Sequence, residues 1–413
     1  MVSERKLISL IMFLVYSIWV IVPSIHYTVS VIYIALVLAV LLLILCLLDK
    51  VLFEKIGFLL IGMFGLALMY LLVAYPLDFK HFILVIMEQF MMFIPAILAY
   101  FILLNYSKKE IIFLLIVIAV LELYVGYTTY SALQNNPMIV RMLTSGESEE
   151  SKDIYYKLQN IGGYGTAYSF LFFFISGMIS LIYSKKFVIK LISVAILAFS
   201  CIFLLSAQFG TAIILLLISC VIIMFVKTKS VGARVLSIGV CIALWLLLPN
   251  LLRLIGDAAG TGILNERLNA IADAISMRSS NDTDLVLRQQ LLSEGFKVFF
   301  KSPIWGQTIS ANGTKLVELY SHSSYLDLAC STGIIGLGIY LKTWSCANKV
   351  VCTSFDENNK KLYYVSYTIF VMLGMINPNW AIYEINIIIF LFTPLIIGLI
   401  QNMSNGEELE NNV

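Results

Sequence analysis

An all-α, polytopic membrane bundle of about twelve transmembrane helices is the fold class this sequence predicts. Three observations lead there. Of 413 residues, 60% are apolar. Charged residues are only 13%, about half the roughly 25% of an ordinary globular protein. The mean hydropathy is +0.94, and apolar runs of about 18 residues or more, the length a helix needs to cross hydrocarbon, recur from end to end. A membrane barrel would instead show alternating segments of about ten residues. The net charge of +2 carries no nucleic-acid footprint.

The expected spans run roughly 7–25, 28–48, 56–74, 82–104, 111–130, 165–183, 190–206, 209–226, 235–252, 324–345, 362–377 and 380–400. Helices are required, because backbone amides in lipid must be satisfied within their own segment. The first run follows Ser3-Glu4-Arg5-Lys6 and lacks a small-x-small cleavage site, so it reads as an uncleaved span. The seven cysteines show no CxxC spacing, so neither a disulfide framework nor a zinc site is indicated.

Orientation follows from lysine and arginine. With the N-terminus inside, inner segments hold 16 of the 27 basic residues, and the short outer loops hold only Lys80. The other ten lie in two long outer segments, where the positive-inside rule has little force. Both termini are therefore expected in the cytoplasm, with one polytopic domain over 1–413 and long outer loops at 131–164 and 253–323. The larger loop falls between helices 9 and 10. Long loops in compact proteins are usually functional or disordered. Within the second, 265–277 and 284–300 show helical periodicity, the latter stopping at Ser302-Pro303.

Basic residues also segregate by type. Lysine is 14 inside and 6 outside; arginine is 2 inside and 5 outside, namely Arg141, Arg253, Arg267, Arg278 and Arg288. Outside, the chain thus favours the planar fork that binds phosphate or carboxylate bidentately; scatter in small numbers is the plainer explanation. Arg288 stands apart. It sits three residues after Leu285 and four before Leu292, on the apolar stripe of its helix. It either snorkels at the lipid surface or is held against a packed wall and aimed at an anion.

His26 and His81 stand alone at span ends, as interfacial residues do. His322 lies in Tyr320-Ser321-His322-Ser323-Ser324-Tyr325, where the second outer loop re-enters the membrane. A neutral imidazole there could take a proton from a sugar hydroxyl, or simply mark the interface. Carboxylates within spans are costly, roughly 2.5–3.5 kcal/mol at a helix centre, and are functional hypotheses by default. Here they are Glu88, Glu122, Asp327 and Glu384, of which Asp327 and Glu384 fall near outer ends. Each could equally be a structural partner for a neighbouring helix.

These residues resemble a known family. Arg288 leads a helix ending in Phe299-Phe300-Lys301-Ser302-Pro303-Ile304-Trp305-Gly306; His322-Ser323-Ser324-Tyr325-Leu326-Asp327 follows, then Gly333-Ile334-Ile335-Gly336. That order is similar to the O-antigen polymerase and O-antigen ligase family: an Arg-led helix ending in Pro-x-x-Gly, a His motif, and Gly-x-x-Gly in the next span. Ile161-Gly162-Gly163-Tyr164-Gly165 also resembles capsule and O-antigen polymerases. The chain departs from the pattern at the turn between spans seven and eight, where Phe209 stands where many members carry Arg.

The resemblance implies a metal-independent, inverting glycosyltransferase at the outer face of the bacterial cytoplasmic membrane, with no cofactor. It would polymerise oligosaccharide repeats carried on undecaprenyl pyrophosphate into O-antigen or capsule. His322 would be the catalytic base. Arg288, and more weakly Arg141, would bind the pyrophosphate, with Asp327, Glu384 and Tyr325 as possible supporting residues. Partners would be the lipid-linked donor and acceptor, with a chain-length regulator and a flippase possible and nucleic acid not expected. Two alternatives remain: an O-antigen ligase that attaches finished glycan to a lipid or protein acceptor, and a polysaccharide flippase or other transporter. The arginine-rich outer loop argues against the flippase.

Overall fold

The computed structural model describes residues 2–76, 78–136, 138–144, 153–207, 209–227, 231–258, 265–266, 268–269, 272–273, 283–308, 310–311, 314–315, 323–379 and 382–410. The chain is helical almost throughout. In order, the main helices are α1 (Val2–Ile21), α2 (Val31–Leu48), α3 (Lys50–Met69), α4 (Phe79–Asn105), α5 (Lys108–Asn135), α6 (Ile139–Thr144), α7 (Tyr164–Tyr183), α8 (Phe187–Ala207), α9 (Gly210–Lys227), α10 (Val231–Ala258), α11 (Thr283–Lys301), α12 (Ser324–Cys352), α13 (Glu357–Ile376) and α14 (Tyr383–Ile387, continuing through Thr393–Glu410). A two-residue hairpin pairs Ser310–Ala311 with Thr314–Lys315.

Each of the twelve expected spans falls on one of these helices. Among the described residues, eight helices are long and apolar enough to cross a membrane by length and composition: α2, α3, α4, α5, α7, α8, α12 and α14. The chain is thus a polytopic helical membrane protein. Of the others, α9 is shorter, α1 carries charge at its N-terminal end and α13 is less apolar.

Local chemistry sets the helix ends. Ser107 and Glu110 form a reciprocal capping box at the start of α5, satisfying two otherwise orphaned amides. Asp49 ends α2 and caps α3 by accepting from the Leu52 amide at 3.2 Å. Asp356 caps α13 through the amides of Asn358 and Asn359. The same end of the molecule is cross-tied by Lys6–Glu110 at 3.0 Å and Arg5–Asp49 at 3.5 Å.

The core runs through α4, α7 and α14. Phe90–Ile102 of α4, Thr166–Gly177 of α7 and Ile385–Ile397 of α14 are buried on nearly every side. Helices α2 and α8 are apolar yet largely exposed, as expected where lipid is the solvent. Two five-residue π segments interrupt the rods, at Tyr70–Ala74 and Ile388–Phe392. Such segments often mark functional regions. At the second, the Ile388 carbonyl accepts from the Thr393 amide and also from Thr393 Oγ1 at 2.9 Å; that hydroxyl also meets Ser176 Oγ of α7 at 2.6 Å.

Candidate functional site

The feature that organises the end of the molecule where α12 begins is a break in that helix. At Gly333 the backbone leaves the helical region (φ 66°, ψ −173°), a conformation open to glycine and costly for other residues. A broken helix leaves donors and acceptors unpaired, which hydrocarbon does not tolerate. The Pro303–Gly306 turn supplies the partners. Ile334 N donates to the Pro303 carbonyl at 2.9 Å, and Gln307 N donates to the Cys330 carbonyl at 2.8 Å.

Close approach explains both glycines. A Cβ at Gly333 would lie 2.0 Å from the Ile304 carbonyl oxygen. One at Gly306, itself at φ 83°, would lie 2.5 Å from Gly333 N. Cys330 Sγ donates to the Gly295 carbonyl of α11 at 3.2 Å, and Gln307 Nε2 donates to the Val298 carbonyl at 2.8 Å. The Pro-x-x-Gly and Gly-x-x-Gly segments, 30 residues apart, are therefore the two halves of one joint. It locks α11 against the N-terminal part of α12.

Above the joint, Ser323 caps α12 by accepting from Leu326 N at 3.4 Å. The Asn377-Pro378-Asn379 loop closes over this end. Asn379 N donates to Ser324 Oγ at 2.7 Å, and Asn379 Nδ2 donates to the Phe370 carbonyl at 3.2 Å. From the other side, Tyr164 OH donates to the Pro378 carbonyl at 3.2 Å and Asn377 Nδ2 donates to Tyr168 OH at 3.2 Å. The loop thus joins the segment following His322 to the Gly162–Gly165 segment, the two stretches that carried the family resemblance. Sequence reasoning missed Asn377 and Asn379. The only signal was an Asn-Pro turn between two spans.

The Gly162–Gly165 segment is itself pinned. Asn160 takes a left-handed conformation (φ 53°), which Asn tolerates better than most residues. Its Oδ1 accepts from Ser24 N at 2.9 Å, and its carbonyl accepts from Thr128 Oγ1 at 2.8 Å. Gly162 N donates to Thr129 Oγ1 at 2.7 Å. A Cβ at Gly165 would fall 2.5 Å from the Glu384 carboxylate, so glycine there makes room for that group. Phe209, where the family pattern has Arg, packs against Tyr164 and Tyr168 with ring centroids 6.0 and 5.7 Å away. Aromatic contact replaces a cation at this turn.

The candidate carboxylates separate in role. Glu384 is half-buried in the first turn of α14, beside Gly165. Asp327 lies in the first turn of α12; with Glu88 it is part of the electrostatic surroundings of Tyr70, whose hydroxyl hydrogen-bonds Ser331. Glu122 is fully buried and accepts from Ser169 Oγ at 3.1 Å, the structural-partner alternative. Nearby, an aromatic cluster stacks Tyr27 on Tyr156 (4.0 Å) and sets His26 at a tilt against Trp19 (4.3 Å). Burial lowers the His26 pKa from its ordinary 6.5 to about 4, so the ring is neutral. It raises the Tyr156 hydroxyl to about 12.

The basic candidates divide likewise. Arg253 is taken by an ion pair with Asp273 at 2.7 Å. That pair sits beside a small apolar cluster of Ile213, Leu248, Leu252, Leu268 and Ala272, which seats the start of the second long loop on α9 and α10. Arg288 lies in α11, seven residues before Gly295 and so on the same helical side; Gly295 is where α11 meets Cys330 of α12. Arg141 lies in the short helix α6, which packs on α7. Tyr325 is in the first turn of α12, close to Asn379 and Gly374. His322, Arg267 and Arg278 lie outside the described residues. Among the described residues, no group of three His, Cys, Asp or Glu side chains is placed to hold a metal ion.

The chain is thus a many-spanned helical membrane protein in which a loop is joined to a broken helix. Residues 192–341 match the family model described as O-antigen ligase, and on that match the chain carries a domain of the O-antigen polymerase and ligase family. The matched stretch runs from α8 through the Gly306–Gly333 joint and includes Arg288 and His322; Gly162–Gly165 and Asn377–Asn379 lie outside it. No curated protein matches the chain. The family implies glycosyl-transfer activity on lipid-linked glycan, in a multi-pass protein of the bacterial inner membrane.

Proposed function

We propose that the protein is a polysaccharide polymerase that joins repeat units carried on undecaprenyl pyrophosphate at the outer face of the membrane. The observation that carries this reading is the Gly306–Gly333 joint, which ties the arginine-bearing helix α11 to the helix that follows His322. Run outward about two turns from the Gly295–Cys330 contact, α11 reaches position 288 and α12 reaches its own start at Ser323. In this reading the joint holds Arg288 and His322 across one substrate.

The chemistry is an inverting displacement. The acceptor hydroxyl oxygen attacks the anomeric carbon of the donor glycan as the bond from that carbon to the pyrophosphate oxygen breaks. The hydroxyl proton passes to a neutral His322 ring nitrogen. The charge developing on the leaving pyrophosphate is held by the Arg288 fork, with Arg141 as a second contact; cationic side chains take the part a metal ion plays in other transferases. Asp327, Glu384 and Tyr325 support the site from the first turns of α12 and α14. Partners on this reading include a flippase delivering the donor and a regulator of chain length. A ligase is the second reading. The aromatic packing of Phe209, in place of the Arg many members carry, favours the polymerase. The glycan length distribution in cells lacking the gene separates the two: single-repeat products support a polymerase, and full-length unattached polymer a ligase.

Arg288→Lys is expected to impair turnover far more than Arg253→Lys. Lys keeps the charge and loses the bidentate geometry. A loss of about tenfold or more corresponds to roughly 1.4 kcal/mol of transition-state contact. Arg253 already pairs with Asp273, so its conservative change should act on stability alone. Equal turnover of the two variants at equal protein level would reduce Arg288 to a surface residue.

The topology of this reading puts both termini in the cytoplasm and 255–320 outside. A cysteine at Gly313 is expected to react with an impermeant thiol reagent on intact cells. Reaction only after permeabilisation would reverse the orientation.

A further inference from the structure

The end of α11 presents an apolar surface that the site does not use. Phe296 is 51% exposed, Phe300 71%, Ile304 55% and Trp305 58%. The rings of Phe296 and Phe300 lie together, centroids 6.5 Å apart, and the Pro303–Gly306 turn continues the same patch through Ile304 and Trp305. Aqueous loops rarely expose contiguous aromatic and aliphatic side chains in this way.

The level of the patch in the bilayer follows from α12. From Lys349 back to the break at Gly333 this helix rises about 24 Å at 1.5 Å per residue, short of a hydrocarbon core of about 30 Å. Its inner end carries Lys349. Counting about 20 residues outward from there reaches the outer edge of the hydrocarbon near Ala329. Lys342, on the way, is exposed and reaches the inner interface by its long stem. Gly333 then lies about one turn inside the hydrocarbon, and any tilt of α12 puts it deeper. The backbone of Pro303 and Ile304 is hydrogen-bonded at that level. Ile334, the next residue of α12, is 58% exposed and lies on the face that continues to Leu341. The α11 patch is therefore continuous with a lipid-facing surface.

We propose that the C-terminal half of α11 and the Pro303–Gly306 turn form a re-entrant segment immersed in the outer leaflet. Its occupants are phospholipid acyl chains against Phe296, Phe300, Ile304 and Trp305. Lys297 and Lys301, exposed between them, extend to the headgroup phosphates. The kink at Gly333 is what allows this, since its hydrogen bonds satisfy the turn's backbone at a depth without water. The rest of the second loop, Gly313 included, stays outside. The segment holds α11, and Arg288 with it, at the height where a lipid-anchored pyrophosphate travels. The immersion itself does not rest on the enzymatic reading.

Tryptophan fluorescence tests it. The whole protein and its Trp305→Phe variant are reconstituted in phosphatidylcholine vesicles, with lipids brominated either near the carbonyl or near the methyl end of the acyl chain. The Trp305 component is the difference between the two proteins. Brominated lipid is expected to remove most of that component, the shallow bromine more than the deep one, with little effect of aqueous acrylamide. Quenching by acrylamide and not by brominated lipid would overturn the proposal and leave the patch in water. Quenching by neither would overturn it in favour of a protein covering the patch. The two proteins are matched beforehand for thermal stability in detergent, so that an unfolded variant is not compared.

Discussion

Turnover of a purified His322→Ala variant is expected to fall about 10²–10⁴-fold, the usual worth of general-base catalysis. Lipid-linked donor should still bind, because the pyrophosphate contacts of the proposed site come from arginine. The pH–rate profile of the unaltered protein should fall on the acid side, because a protonated imidazole cannot take the hydroxyl proton. A histidine with a merely structural role behaves differently. Its Ala variant loses protein abundance rather than turnover, and His322→Gln or Asn restores function by keeping a hydrogen bond. The assay is polymerisation of a synthetic lipid-linked repeat by purified variants in detergent. Near-normal turnover for His322→Ala would remove this residue from the mechanism and leave Asp327 and Glu384 as the next candidates for the base.

Gly333→Ala should be nearly as damaging by another route. The native φ of 66° is costly for alanine, roughly 1–3 kcal/mol for backbone held in a sparsely populated region. Its new Cβ would also fall 2.0 Å from the Ile304 carbonyl oxygen, a backbone atom that cannot turn aside. The Pro303–Gly306 turn must then leave the kink, and the amide of Ile334 loses its partner. We expect a lower thermal midpoint together with loss of activity. Gly338→Ala is the control, five residues along the same helix, where a Cβ meets nothing within 4 Å. It should be neutral or slightly stabilising, since alanine favours helix over glycine. Equal melting and turnover of the two variants would show that the joint does not hold the outer loop in place.

Much of the fold could be read directly from the chain. Twelve apolar runs fall on twelve helices, because in lipid each segment must satisfy its own amides and the apolar length needed is set by the bilayer rather than by neighbours. The helix over Asp284–Phe300 with its stop at Ser302-Pro303 also falls where periodicity puts it, as α11 at Thr283–Lys301. Local patterns of this kind survive without tertiary help.

The site was readable only in pieces. Pro303–Gly306 and Gly333–Gly336 stand out as separate motifs, yet nothing in their spacing says that they touch, because the contact is a set of backbone hydrogen bonds that any side chains could accompany. Asn377 and Asn379 carry no chemical label, and they matter because α7 and α12 approach the same loop. Gly165 is an unremarkable glycine until α14 brings Glu384 against it. Arg253 carries no mark in the sequence that it pairs with Asp273, 20 residues on. By itself, the sequence determined that this is a helical membrane protein with an arginine-bearing long loop and a resemblance to the O-antigen polymerase and ligase family, since hydropathy, composition and short motifs are properties of contiguous residues. Only the tertiary structure decided which glycines form a joint, which arginine is already paired and which loop closes over the start of α12, because those depend on residues far apart in the chain meeting across helix packing.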